Sequence, residues 1–275
     1  MFALEAPWTV PPPVQCVSRQ AWRNGSASTG ERTLAEEVPV AFSYDGATHA
    51  VLMATPDDLE DFAVGFSYTE GIISAPAEIA ELAVVSIADG IVLRMRLTGD
   101  RSDAFAARRR RFVGPAGCGM CGLESLAEAN RAIPMACCDL RVSRRDIAEA
   151  VAALPARQQL NTQTRAVHAA AIWQPDRGLV LREDVGRHNA LDKLAGALLC
   201  TTRSAAEGII VLSSRISIEL VQKAGIMGAA IIVGVSAPTG MAVRTAEATG
   251  LTLVGIARDD GFEVFTHPER ITRDW

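Results

Sequence analysis

Residues 117–124 read GCGMCGLE: two thiols, Cys118 and Cys121, at C-x-x-C spacing in a glycine-rich stretch that runs into a helix-forming sequence. Such a pair suits metal ligation, dithiol redox work, nucleophilic sulfur chemistry, or plain burial. Structural zinc takes four ligands, usually as two knuckles. Cys137 and Cys138 follow at a workable distance, but they are adjacent and supply no second C-x-x-C. A zinc deaminase needs H-x-E upstream of P-C-x-x-C. Here His168 follows the pair, Ala170 stands two residues beyond it, and Ala116-Gly117 precedes Cys118 in place of proline. That signature fails. A thioredoxin-like dithiol would follow a strand, whereas RRRRFVGPAG precedes this one. Arg108 to Arg111 favour the thiolate, as does the helix start in GLESLAEA. Inert cysteines prefer apolar surroundings. The pattern therefore points to reactive, nucleophilic thiols.

A second group of residues suits anion binding. EDVGRHN (183–189), SSRIS (213–217) and SAPTG (236–240) each follow an apolar, strand-like run and open a helical one. Ligands of open α/β sheets gather at such strand-to-helix edges, where helix N-termini and hydroxyls receive phosphates. Arg187 and Arg215 add charge-assisted donors, with Ser213 and Ser214 between them. The plainer reading is that these hydroxyls only cap helices. His188, between Arg187 and Asn189, is a candidate to orient a ligand or relay a proton. His168 lies in an apolar run and reads as a hydrogen-bonded core residue.

The elements that must position these groups follow from pattern. The 275 residues are 49% apolar and 21% charged, enough for one large or two modest domains. A net charge of −5 excludes a protein that coats nucleic acid or an acidic membrane by bulk attraction. The proline-broken start MFALEAPWTVPPP is no signal peptide, and the longest apolar runs are too short for a membrane span. A cytoplasmic location with reduced thiols is expected. Residues 1–32, rich in Pro, Ser, Gly and Thr, read as a mobile leader. VPVAFSY and ATHAVLMAT form a hairpin about Asp45-Gly46, and Thr55-Pro56-Asp57-Asp58 starts a helix with Thr55 as its cap. LAVVSI and GIVLRMRL pair next, and Ser143 to Asp146 has the form of a capping box. This gives an N-terminal α+β region over 33–160 that includes the C-x-x-C loop. From 161 to 275, apolar strands alternate with amphipathic helices, which predicts an α/β unit with a largely parallel sheet covered on both faces.

Taken together, GCGMCGLESL, HAAAIW, EDVGRHNALDKL, SSRISIELVQKA and LTLVGIARDDGFEVFTHPER resemble the formate dehydrogenase accessory sulfurtransferase family, FdhD. VPVAFSY and MATPDDLEDFAVGFSYTEGII resemble its N-terminal part, so the similarity runs from Val38 to Arg270. The resemblance implies a three-layer α/β/α C-terminal domain of cytidine-deaminase-like fold without the deaminase zinc, and a homodimer. It implies a sulfurtransferase that accepts sulfur from a cysteine desulfurase as a cysteine persulfide. The sulfur goes to the molybdenum or tungsten bis(molybdopterin guanine dinucleotide) cofactor, Mo-bis-MGD, which is substrate here, and formate dehydrogenase is the client. Cys118 matches the persulfide-carrying cysteine and Cys121 its partner. Ile256, Ala257, Arg258, Asp259, Asp260 and Gly261 match the loop that holds the guanine-nucleotide ends. Arg187, His188, Ser213, Ser214 and Arg215 are further residues expected to hold its phosphates. Two positions depart from the family pattern: Arg165 stands where a glycine follows Thr164, and Gly261 stands where many members carry arginine.

Three other functions fit parts of this pattern. A non-catalytic chaperone for the cofactor would keep the sheet-edge residues without needing both cysteines. A zinc-stabilised binding domain would use Cys118, Cys121 and Cys137 or Cys138. A dithiol reductase would need no cofactor.

Overall fold

A computed structural model describes residues 8–102, 133–136 and 139–272. Arg108 to Arg111, Cys118, Cys121, Cys137 and Cys138 lie outside the described residues. The first element departs from expectation. Residues 14–35, most of them read as a leader, form an antiparallel ribbon of β1 (Val14–Arg23) and β2 (Ser26–Ala35). Its two-residue turn is Asn24-Gly25, both at positive φ. That dipeptide is the strongest short-range hairpin signal, and it decides the structure where apolar alternation is lacking.

The first sheet has the order β4-β3-β6-β5, from β3 (Val38–Tyr44), β4 (Ala47–Ala54), β5 (Ile79–Ile87) and β6 (Gly90–Leu97). Asp45 and Gly46 turn the expected β3–β4 hairpin, both with positive φ. Helix α1 (Leu59–Thr69) covers this sheet, setting Phe62 and Phe66 against Phe42 at ring-centroid distances of 4.9 and 4.0 Å. Its start differs from the reading above. The helix begins at Leu59 with Asp58 as N-cap in the left-handed region, and Thr55 caps nothing in it. Thr55 is fully buried; its N–H and hydroxyl bond to the second half of the chain, and its carbonyl accepts from Lys193 as well as from the Asp57 N–H.

That half begins with β7 (Val142–Ser143), α2 (Arg144–Ala152), α3 (Leu154–Arg157) and α4 (Gln159–Thr164). The Ser143–Asp146 capping box forms in both directions. Helix α4 ends at Arg165, which takes the left-handed conformation (φ 56°) usual for a C-terminal glycine. The chain continues through β8 (His168–Gln174), β9 (Gly178–Asp184), α5 (Arg187–Leu199), β10 (Ile209–Leu212), α6 (Ile218–Ile226), β11 (Ile231–Gly234), α7 (Gly240–Ala248), β12 (Thr252–Arg258), β13 (Gly261–Val264) and β14 (Ile271–Thr272). The six-stranded sheet has the order β13-β12-β11-β10-β8-β9. Only β10, β11 and β12 are mutually parallel, and an antiparallel hairpin flanks them on each side. The sheet is mixed rather than largely parallel, because β8–β9 and β12–β13 connect through tight turns instead of crossover helices.

Both faces are covered, as an α/β/α arrangement requires. Ile172, Ile210, Ile232 and Leu253 pack with Leu191 and Leu194 of α5, Leu220 of α6 and Ala242 of α7. On the opposite face, Ala171, Val211, Val233 and Val254 meet Ile147 and Ala150 of α2 and Leu154 of α3. Helices α2 and α3, which fall within the 33–160 region of the sequence reading, therefore belong to the core of the second sheet. Among the described residues no helix is long and apolar enough to cross a membrane.

Helices α1 and α5 join the two halves at very close range. A Cβ on Gly65 would overlap the Asp192 carbonyl, and one on Gly196 would overlap the Asp61 carbonyl. Backbone cannot yield as a flexible side chain does, so overpacking outweighs the roughly 1 kcal/mol of helix propensity gained by alanine. Gly196→Ala is expected to destabilise the protein by about 2 kcal/mol or more in urea denaturation. An unchanged midpoint would contradict the close approach.

Candidate functional site

Strand order brings the expected polar segments to a single edge. The parallel pairing of β10, β11 and β12 runs out at one edge, at Leu212–Gly234 and at Val233–Val254. Antiparallel β8 begins there, with Ser213 N–H donating to the Ala169 carbonyl at 3.0 Å, and β9 ends there, with Asp184 opposite His168. Helices α5, α6 and α7 all start from this edge, after Gly186, Ser217 and Thr239. Three helix N-termini concentrate partial positive charge and free N–H groups along it.

Asp184 fixes one end of the edge. It is fully buried; Oδ2 lies 2.7 Å from Lys193 Nζ and accepts the Thr55 N–H at 3.0 Å. Oδ1 accepts from Gly186 N–H at 2.7 Å and from Asn189 Nδ2 at 2.9 Å. Lys193 also donates to the Thr55 carbonyl, and the Thr55 hydroxyl accepts the Val185 N–H. The turn that presents Arg187 is thus tied to the first half of the chain by charge and by backbone. A second buried knot is built on Asp192, the residue before Lys193 on α5. Lys223 of α6 donates to Asp192 at 2.8 Å, Glu70 at 2.9 Å and Thr69 at 3.0 Å. Burial works against the Lys223 ammonium, but Asp192 and Glu70 outweigh it and raise its pKa. Sequence reading missed both knots. Their signal was a lysine inside the apolar helix ALDKLAGALL, where an unpaired charge has no place.

Around this turn the electrostatics are unusual. Burial and the Arg187 charge lower the pKa of His168. The same two causes, in the same order, lower that of His188 to about 4. His188 Nε2 lies 3.3 Å from Ser217 Oγ and 3.7 Å from the Glu219 carboxylate. Burial raises Glu219, yet hydrogen bonds from Ser217 and its own backbone N–H, with His188 and Arg187 nearby, bring its pKa below the usual value. Arg187 itself has a buried Nε with no hydrogen-bond partner among the described residues. His168, read from sequence as a core residue, is half-buried at this edge instead.

The remaining expected residues divide. Ser213 Oγ accepts the Ala169 N–H at 2.8 Å, and buried Ser214 turns its hydroxyl to the Arg215 carbonyl at 3.0 Å, so both hydroxyls serve the fold. Arg215 is exposed. Ile256 to Gly261 form the tip of the β12–β13 hairpin, with a register shift between Gly255 and Arg258 and Asp259-Asp260 at the turn. Ile256 has φ 53°, rare for a β-branched residue, and its N–H donates to the Ser236 carbonyl. Strain of that kind collects at functional sites. Ala257 is buried, while Arg258, Asp259 and Asp260 are exposed. Gly261 has φ 141°, a backbone conformation that favours glycine.

Two outcomes are expected. Asp184→Asn leaves the fully buried Lys193 without its counter-charge and should cost about 3 kcal/mol in thermal or urea unfolding; a loss below about 1 kcal/mol would deny the pair its anchoring role. His188 binds its proton less readily folded than unfolded, so stability falls as pH drops from about 6.5 towards about 4. His188→Asn should flatten that acid slope of the melting temperature, and identical slopes would refute the buried neutral imidazole.

The comparisons with known proteins agree with this architecture. A sequence model of the FdhD/NarQ family matches residues 35–272. The chain is 51% identical over 257 residues to the protein named Sulfur carrier protein FdhD of Agrobacterium fabrum, covering 93% of this chain and 95% of that one. It is 47% identical to the protein of the same name in Brucella abortus, over 93% of this chain and 96% of that protein. A crystal structure from Desulfotalea psychrophila, described as a formate dehydrogenase accessory protein, superposes with a TM-score of 0.76 at 26% identity, covering 95% of this chain and all of that one (100%). The chain belongs to the FdhD/NarQ family.

Proposed function

We propose that the protein is a sulfur carrier and sulfurtransferase, taking persulfide sulfur from a cysteine desulfurase and delivering it to Mo-bis(molybdopterin guanine dinucleotide), for use by a formate dehydrogenase. One coincidence carries the reading. Within the family-matched span 35–272, the chain keeps both Cys118 and Cys121 and builds a sheet edge where three helix N-termini meet Arg187, whose buried Nε has no partner among the described residues. The sulfur-carrier name of relatives up to 51% identical supports the first part. The formate dehydrogenase description of the solved relative supports the client. A passive chaperone would use the same edge but has no need of the thiol pair.

The chemistry is thiol–disulfide exchange extended to a persulfide. The Cys118 thiolate attacks the outer sulfur of the donor persulfide. A new S–S bond forms, the donor S–S bond breaks, and the donor cysteine leaves as thiolate. The carrier then holds Cys118-S-S⁻. In delivery, the Cys121 thiolate attacks the inner sulfur; its electron pair reduces the outer sulfur to the sulfide level, leaving a Cys118–Cys121 disulfide that a cellular thiol reductant reopens. A Cys121 that only holds the persulfide would leave no such disulfide. Arg108 to Arg111 are assigned to stabilising the persulfide anion or receiving the donor. The hairpin tip Ile256–Gly261 is assigned to the guanine-nucleotide end, with the β8–β9 end of the edge beside the phosphates. The functional unit is assigned as a cytoplasmic homodimer.

Intact mass without reductant, after incubation with a cysteine desulfurase and cysteine, tests the reading. Wild type is expected to gain one or more sulfur atoms that reduction removes, and Cys118→Ala is expected to gain none. Cys121→Ala should retain the persulfide but stall in delivery if Cys121 is the resolving thiol. Wild type that takes up no sulfur would end the transferase reading and leave the passive chaperone.

A further inference from the structure

We propose that, within the sulfur-carrier reading on which this rests, the open face of the first sheet is the docking surface for the protein that supplies the sulfur, a partner whose matching surface has an apolar centre and acidic neighbours. None of the candidate cofactor residues lies on this sheet.

Its four strands carry the runs VPVAF, AVLMA, LAVV and GIVL. Near-continuous apolar runs belong to sheets covered on both faces, whereas a sheet with one wet face alternates apolar and polar residues. The inner face here is met by α1, with Val40, Phe42 and Leu93 fully buried. On the other face, cross-strand register aligns Val51, Ala41, Val92 and Val85 in one row that crosses all four strands. Met53, opposite Pro39, and Ile87, opposite Gly90, widen the row at its two ends. Val51 is 50% exposed, Met53 44% and Ile87 43%. Single exposed apolar side chains need no explanation, but a contiguous patch of them marks an interaction site.

Size, charge and setting select the occupant. Strand and residue spacings make the apolar patch about 19 by 14 Å, roughly a third of the area that each partner buries in a standard stable interface. That is too little to hold two copies of this chain together, and it suits the centre of a transient contact. Arg94 and Arg96 stand exposed beside the row on the same face; Glu81 pairs with Arg96 at 3.3 Å, which leaves Arg94 as the excess charge. An acidic surface complements it. The arginine end of the sheet is also where the described chain departs towards the thiols. The Leu97 N–H and the Ser102 hydroxyl both donate to Asp45, at 3.0 and 2.8 Å. Beyond Cys118 and Cys121, Ile133 lies over Gly225 of α6, and the Ala136 N–H donates to the Thr249 carbonyl at 2.9 Å. The residues that carry both thiols thus join this sheet to the half of the chain that bears the cofactor edge. Loading from a protein donor falls to the first half, and delivery to the second.

The test is the initial rate of persulfide loading, read by intact mass, against the concentration of a cysteine desulfurase supplied with cysteine. The double variant Val51→Glu/Ile87→Glu should raise the half-saturating desulfurase concentration about tenfold or more, the scale of a lost interface centre. Arg94→Glu should raise it severalfold at low salt, an effect that fades as salt is added. Trp22→Glu, which removes a still more exposed apolar side chain (73%) from the β1–β2 ribbon, should stay within about twofold of wild type. Inorganic polysulfide sulfurates a thiolate without a protein donor, and it should load every variant as fast as wild type. Sedimentation velocity should give wild type and variants the same mass. An unchanged half-saturation in the double variant, an equal loss in Trp22→Glu, or slower loading of the double variant by polysulfide would each overturn the docking surface. A changed mass for the double variant alone would also overturn it, by giving the face to a second copy of the chain. Wild type that the desulfurase does not load would end the sulfur-transfer reading as well, whereas a loaded wild type beside an indifferent double variant ends the docking surface alone.

Discussion

The ion pair between Lys193 and Asp184, both fully buried, is the constraint around which the rest is organised. A buried pair gives little net stability over apolar packing, but losing either partner is severe. Its value here is positional. Asp184 closes strand β9, accepts four donors, and draws Thr55 from the first half of the chain into the same network. The helix start that Thr55 does not cap and the Arg187 turn that Asp184 does hold are two consequences of that network. Gly65 and Gly196 permit it, since only glycines let α1 and α5 approach closely enough for Thr55 to reach Asp184 and Thr69 to reach Asp192.

The edge built on this anchor is polar without being acidic or strongly basic. Its polar character comes from helix N-termini, one arginine, and two imidazoles whose pKa values are lowered first by burial and then by the Arg187 charge. The chain as a whole carries a net charge of −5, so any attraction for an anion at this edge is local rather than global.

Strain sits at the other end of the edge. Ile256 holds a left-handed backbone at the bulge of the β12–β13 hairpin, and Gly261 holds a positive φ where the hairpin returns. A glycine at 261 thus has a backbone reason. Arg165 shows the opposite case. An arginine occupies a left-handed helix end of the kind glycine usually fills, and its side chain is exposed.

Much of the fold was legible in sequence because it rests on local signals. Asp45-Gly46, the Ser143–Asp146 box and the alternation of apolar runs with amphipathic helices from His168 onward specify elements through turn chemistry and periodicity alone. Asn24-Gly25 is an equally local signal, but the strands it joins lack the apolar alternation that marks the others. The thiol pair and the polar strand ends were legible as chemistry, since residue type and spacing are sequence properties. Partnership was not. Whether His168 belongs to a core or to an edge depends on β8 running antiparallel to β10, and whether Thr55 caps a helix or binds Asp184 depends on a contact 129 residues away. Periodicity reports which face of an element is apolar but not what that face meets. Sequence by itself determined the thiol pair, most of the elements and the family pattern, because residue type, spacing and turn chemistry are local. Tertiary structure alone decided which strand ends share an edge and which charges neutralise one another, because those partnerships join residues far apart in the chain.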